Sequence, residues 1–339
     1  MRALFTCWFW VAALALCSAQ PGDTTTRKSE QLVDVLSDVV TMKLDVDNDF
    51  DRFQLRGNTF NYDLQPNFGL SKSFSASYRF AAIWFSYLPR FLWTDDPLRK
   101  GKSRGFSYGF TLSKKHFFHS FSFARVRGFY LENTRDVIAG WNANRDDYIQ
   151  FPDLRYWTLR GKTTYLFNPG FSFNAIHSQT ERQLRSIATP VLSTSYRYYH
   201  IDNKSTNQVS SQRSANLEWV FMAGFYATAV HRKTWYATIG CEGGAGVYHT
   251  FLLTRLPGEN VNSNFGRGLI RGSIHGALGY NSGRFAAGGE FMADRTFTKQ
   301  TANVEMRLTR VVFQIFVAYR LQAPTPVKRA FDSVAARFR

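Results

Sequence analysis

The chain has 339 residues, of which 17% are aromatic and 20% charged, with a formal charge of +17. Mean hydropathy is slightly negative despite 32 Phe and 16 Tyr, and after the leader no stretch approaches the roughly 18 apolar residues that a spanning helix needs, which excludes a helical membrane protein. Strands are then the only way across a bilayer, and the basic excess points to polyanionic neighbours.

Met1 and Arg2 open a leader whose residues 3–16 are apolar and whose Cys17, Ser18 and Ala19 are small. That layout predicts a cleavable signal peptide over residues 1–19, cut after Ala19. Residues 20–50 mix charge with Leu32, Val35, Leu36, Val39 and Val40 at helical spacing, so a short periplasmic helix or a disordered lead-in fits there.

From Arg52 to Leu321 the pattern is that of strands. They are expected near 52–62, 66–78, 81–88, 104–112, 117–131, 154–167, 171–180, 190–201, 215–230, 234–249, 265–281, 284–297 and 300–321. The first is the weakest, so the expected number is about twelve, as for a mid-sized barrel. Several faces are clean, because successive strand side chains point to opposite sides. Ile270, Ile274, Leu278 and Tyr280 alternate with Arg271, Ser273, His275 and Gly279. Trp157, Leu159, Tyr165 and Phe167 oppose Thr158, Arg160, Lys162 and Thr164. Trp235, Ala237, Ile239 and Cys241 oppose Thr234, Tyr236, Thr238 and Glu242, which makes Cys241 an apolar-face residue and not a reactive thiol.

Asn168-Pro169-Gly170, His231-Arg232-Lys233 and Asn281-Ser282-Gly283 mark turns, and long polar loops fall at 89–103, 132–153, 202–214 and 251–264. Barrels of this type keep short turns on one side and long loops on the other. With the strands above, the first two loops take one side and the last two the other. The conflict falls between Gln179 and Pro190, so either a strand is miscounted there or that segment makes no simple reversal. Residues 323–339 look like a basic tail. The domain plan is therefore a signal peptide (1–19), a lead-in (20–50), a barrel domain (51–322) and the tail.

The stretch from Ser178 through Gln179, Thr180, Glu181, Arg182, Gln183, Leu184 and Arg185 to Ser186 resembles the signature of the Bacteroidota family called domain of unknown function 4421. Gly128-Phe129-Tyr130-Leu131 and the segment from Tyr165 to Phe173 share that resemblance, which covers about residues 50–325. Ile187-Ala188-Thr189 departs from it, since glycine and serine are expected there. The resemblance implies an outer-membrane β-barrel and no particular reaction.

Glu181, Arg182 and Gln183 place a carboxylate, a guanidinium and an amide side by side, which makes them the first site candidates. Folded into the lumen they would pair with wall residues such as Arg160, Lys162 or Arg197, serving as a plug or brace or as a ligand site. Arg271, Arg284 and Arg307 are mixed with Glu290, Asp294 and Glu305 on neighbouring strands, which predicts an internal salt-bridge ladder and a constricted interior in place of a selective ring.

An enzyme reading rests on Ser273 and His275, two residues apart on one face, without a nucleophile elbow. The histidines His119, His177, His200, His249 and His275 are scattered, and no HExxH or paired-cysteine motif occurs, so the sequence points to no metal and no cofactor. The run from Gly240 to Gly246 lacks the ending of a phosphate loop and suits close packing across a lumen.

The expectation is an all-β, up-and-down transmembrane barrel in the outer membrane with a basic, charge-paired lumen lined by Arg160, Lys162, Arg197, Arg271 and His275. Its role is structural or solute-binding, against the alternatives of a lipid-modifying enzyme and a narrow pore for anionic solutes. Expected neighbours are outer-membrane lipid or lipopolysaccharide, with an anionic solute or glycan as cargo. Nucleic acid is set aside, because no recognition module is visible and export puts the chain in the wrong compartment.

Overall fold

The computed structural model describes residues 31–58, 60–87, 96–203, 211–256, 259–299 and 305–337. The expected signal peptide and its cleavage point lie outside the described residues.

The strands are β1 (Val33–Val35), β2 (Val39–Asp47), β3 (Asp51–Arg56), β4 (Asn61–Gln65), β5 (Ser71–Tyr78), β6 (Ala81–Tyr87), β7 (Arg104–Lys114) and β8 (Phe117–Leu131). They continue as β9 (Gln150–Leu166), β10 (Glu181–Gln183), β11 (Ile187–Asn203), β12 (Ser211–His231), β13 (Trp235–Leu256), β14 (Glu259–Asn281), β15 (Phe285–Lys299) and β16 (Glu305–Gln322). A helix α1 (Thr325–Arg337) follows.

Strands β2, β5–β9 and β11–β16 close into a ring of twelve, antiparallel throughout, with β16 paired to β2 at the closure. The alternation in the sequence sets the two faces. On β14, Arg271, Ser273 and His275 are buried inward, while Ile270, Ile274 and Leu278 are more than half exposed outward. Phe313, Ile315, Val317, Tyr319 and Leu321 are likewise exposed outward on β16. Such a continuous apolar exterior is stable against hydrocarbon and not against water.

Cys241 is exposed on that exterior, as its face predicts. Strands β12–β14 run 21, 22 and 23 residues, about twice what a tilted strand needs to cross a bilayer. Strands β5 and β6, of 8 and 7 residues, form a low wall opposite.

The sheet branches above that low wall. Hairpin β3–β4 leaves β2 at Asp47, pairs with β16 over Glu305–Arg310, and reaches β8 at Tyr130 and Leu131. A second, higher ring of ten strands therefore sits on the first and bypasses β2 and β5–β7.

Three expectations are corrected. Residues 39–47 are a wall strand and not part of a lead-in, and no helix forms at Leu32–Val40, because those apolar residues pair along strands. Residues 171–180 are not a strand; they lie inside the barrel, and this removes the loop-side conflict. With that segment taken out, short turns at Arg79-Phe80, Lys115-His116, 232–234 and 282–284 share one end, here the turn end, and the long connections share the loop end.

The basic tail is helix α1, held at the turn end. Phe331 packs on Tyr78 and Phe80 (ring centroids 4.8 and 5.2 Å), Arg79 pairs with Asp332 at 2.6 Å, and Lys328 pairs with Asp38 at 3.3 Å.

Candidate functional site

Two layers close the lumen. Toward the loop end, inward side chains of the long strands meet the hairpin. Phe53, Phe129, Tyr156, Tyr199, Tyr248, Leu269, Met306 and Leu308 are all buried in one apolar cluster. Phe53 meets the Tyr156 ring edge-on with centroids 4.9 Å apart. Each such side chain removed from water stabilises by about 1.5–3 kcal/mol.

Toward the turn end, the chain between β9 and β11 folds inward as a plug, residues 167–186. Phe171, Phe173 and Ile176 of the plug pack on wall residues Phe118, Val191, Tyr226 and Tyr236. The backbone of a plug cannot satisfy itself through a ladder, and a buried polar group without a partner is costly. Wall side chains meet that need. Lys43 Nζ donates to the His177 carbonyl at 3.1 Å, and Asn281 Nδ2 donates to the Glu181 carbonyl at 3.1 Å.

The Gln179 carbonyl accepts from Arg320 Nε at 3.1 Å, Arg320 Nη2 at 2.6 Å and Thr41 Oγ1 at 3.3 Å. Gln179 is wholly buried with φ at 51°, the left-handed region that a residue with a Cβ enters at a cost. Holding that turn is the task of Arg320, which also donates to Asn281 Oδ1 and the Ser282 carbonyl.

Between the two layers lies a chamber of ≈ 370 Å³. One wall carries small hydroxyls, including Ser73, Ser75, Ser77, Ser86, Ser107 and Thr111 from β5–β7. The other carries charge. Glu218 accepts a bidentate pair from Arg197 and a bond from Arg271. Arg160 meets Asp51 at 2.7 Å, Arg310 meets Asp49 at 2.5 Å, and Lys162 meets Glu242 at 2.5 Å. Buried charges persist when each is neutralised in this way.

Six basic residues line the chamber (Lys43, Arg160, Lys162, Arg197, Arg271 and Arg310) against five acidic ones (Asp45, Asp47, Asp49, Glu290 and Asp294). Asp51, Glu218 and Glu242 stand buried beside them. The lumen is thus charge-paired but not basic, which corrects that part of the expectation.

A further cluster sits where plug and wall meet. His177 of the plug, His275 of β14 and Glu290 of β15 bring one potential ligand atom each within 4.8 Å of one another. Glu290 Oε2 is 2.9 Å from His177 Nδ1 and 3.5 Å from His275 Nε2.

The sequence candidates divide between the two environments. Arg160, Lys162, Arg197, Arg271 and His275 all line the chamber. Glu181, Arg182 and Gln183 form β10, which pairs with β1 at the turn end. They do not pair with Arg160, Lys162 or Arg197, because those three already have carboxylates from β3, β13 and β12. Glu181 accepts instead from Ser172 Oγ and Asn174 Nδ2, Arg182 donates to Asp34, and Gln183 joins Ser172 N to the Leu32 and Gly170 carbonyls.

Ser273 and His275 are buried in the lumen, and neither ring nitrogen of His275 has a hydrogen-bond partner, so they form no Ser–His pair. Sequence reasoning missed Arg320, Lys43 and Asp51 as partners. Arg320 carried one usable signal, a lone cation on the inward face between Ala318 and Gln322.

The model of the family described as "Domain of unknown function (DUF4421)" matches residues 33–321. No curated protein matches the chain. Among solved structures, the outer membrane protease OmpT from Escherichia coli is 6% identical, over 87% of this chain and 100% of its own, at a TM-score of 0.41. Ail, the attachment invasion locus protein of Yersinia pestis, is 8% identical over 83% and 99%, at 0.23. The P. putida toluene transporter TodX is 9% identical over 84% and 90%, at 0.25. Likeness at these values assigns no activity to the chain.

Proposed function

The chain belongs to that family, and from that premise we propose that it is a non-conducting outer-membrane barrel whose enclosed chamber binds a small polar ligand. One observation carries the reading. The chamber of ≈ 370 Å³ lies between an apolar layer and a plug, with hydroxyls on one wall and paired charges on the other. A passive pore needs a continuous wet path, and the two layers lie across it. A ligand site needs an enclosed volume of about 300–1,000 Å³ with a few convergent polar groups.

A small second cavity of ≈ 40 Å³ shares Asp49, Ser86 and Ser107 with the chamber. It lies beside Phe68 and Gly105.

The apolar exterior and the strand lengths support the outer-membrane location. Arg155, exposed on the outer face near the loop end, suits contact with lipopolysaccharide phosphates. The balance of charge in the chamber disfavours a pore for anions, and the absence of a Ser–His pair disfavours a lipid-modifying enzyme built on Ser273.

Native mass spectrometry of the protein extracted from its own membrane tests the reading. A discrete organic adduct, lost when the chamber is disrupted by Glu218→Ala, is expected. Bare protein at every activation energy would overturn it.

A further inference from the structure

We infer that His177, His275 and Glu290 form a binding site for a divalent transition-metal ion of the zinc class, which ties the plug to the wall. The inference concerns the edge of the chamber and stands whether or not the chamber binds an organic ligand.

Three observations lead to it. The donor set is two imidazoles and one carboxylate, a combination that binds zinc and other first-row ions with an open position left for water or another ligand. The spacing suits one ion. Zinc bonds to nitrogen and oxygen of about 2.0–2.2 Å in tetrahedral geometry place neighbouring ligand atoms roughly 3.3 Å apart. Here Glu290 Oε2 is 2.9 and 3.5 Å from the two imidazole nitrogens, and all three ligand atoms fall within 4.8 Å.

The third observation is an unmet need. His275 is 6% exposed, yet neither ring nitrogen has a hydrogen-bond partner, and Glu290 Oε1 has none either. Buried polar atoms are rarely left so. A cation between the imidazoles and the carboxylate would give a ring nitrogen of His275 a partner.

The rings are already oriented. His177 stacks on Phe173 and lies 5.2 Å from the His275 ring, and His275 lies 6.0 Å from the Tyr226 ring (centroid to centroid). The backbone of His177 is fixed from the other side by Lys43, whose ammonium pairs with Asp45 at 3.8 Å. The ligands come from three separate segments, so the ion would act as a staple. Sequence spacing hides the site, because His177 and Glu290 are 113 residues apart.

The test uses full-length protein, folded in detergent and stripped with EDTA, titrated with Zn²⁺ alone by calorimetry. One ion per chain is expected. His275→Gln and Glu290→Gln should each weaken binding at least tenfold, with His177→Gln as the further variant should Glu290→Gln fail to fold. His249→Ala, on the outer face of β13, should leave binding unchanged. Co²⁺ in place of zinc should give the visible absorption of a four-coordinate site, lost in the same variants. A plain His–Glu ion pair would bind no metal. That result, or binding that survives all three ligand substitutions, would overturn the inference.

Discussion

The two closures of the lumen are built in opposite ways. Toward the loop end the barrel fills itself. Regular strands turn Tyr156, Tyr199, Tyr248, Leu269 and Leu308 inward, and hairpin β3–β4 adds Phe53. Irregular backbone enters only at its edge among the described residues, where segment 66–70 adds Phe68 and its buried Asn67 bonds Ser103 and the Gly101 carbonyl. Toward the turn end an irregular segment is inserted, and its buried carbonyls require donors from β2, β14 and β16. The first closure is held by many small dispersion and burial terms, the second by a few charge-assisted hydrogen bonds. A closure of the first kind weakens when trimmed, whereas one of the second kind can release as a unit.

Substitutions at each end separate these behaviours. The largest loss is expected from Phe53→Ala, about 3–5 kcal/mol for a buried aromatic that leaves a cavity. It should lower the urea midpoint of the folded barrel without opening a conducting path, since its neighbours stay in place. Arg320→Met should cost roughly 2–3 kcal/mol, the scale of hydrogen bonds to a charged group. It leaves the Gln179 carbonyl with Thr41 alone, so conductance should appear with only a modest fall in the heat-modifiability temperature. Equal conductance from both variants would remove the distinction between the closures.

Gly240→Ala should act on the second closure at a distance. A Cβ at that position would lie 2.3 Å from the Tyr226 ring, which packs edge-on against Phe173 of the plug at 4.9 Å. Overpacking of this kind costs about 1–3 kcal/mol. Faster protease cleavage within residues 167–186 would report it, and unchanged cleavage would show that the plug does not depend on Tyr226.

The smallest effect is expected at a turn that meets the plug through backbone alone, where Arg182 donates to the Lys233 carbonyl at 3.2 Å. Arg232 and Lys233, with φ of 52° and 58°, are the first two residues of the three-residue turn between β12 and β13. Both sit in the left-handed region that hairpins usually give to Asn-Gly. Lys233→Gly should stabilise the barrel by less than ~1 kcal/mol, seen as a small rise in the urea midpoint.

The same contrast explains what could be read from the sequence. The loop-end closure and the outer belt follow a period of two, so the inward placement of Arg271, Ser273 and His275 and the outward placement of Cys241 were legible. The plug has no period. Phe171 and Phe173 alternate with Ser172 and Asn174 for four residues and so imitate a strand, which is why 171–180 was expected in the wall. Only the loop-side conflict betrayed it.

Strand β2 was hidden for a different reason. Lys43, Asp45 and Asp47 face the lumen and Leu44 and Val46 face outward, but the apolar residues just before them also fit a helical stripe. Pairing partners such as Asp51 with Arg160 or Glu218 with Arg271 depend on register across the barrel, which a single sequence does not display.

Single-channel recording in a planar bilayer tests the central claim most directly, comparing wild type with Arg320→Met after both show heat-modifiable mobility. A sealed lumen predicts silence from the folded wild type and discrete openings from the variant. Stable openings from the wild type would contradict the account, because a continuous wet path would then run through both closures.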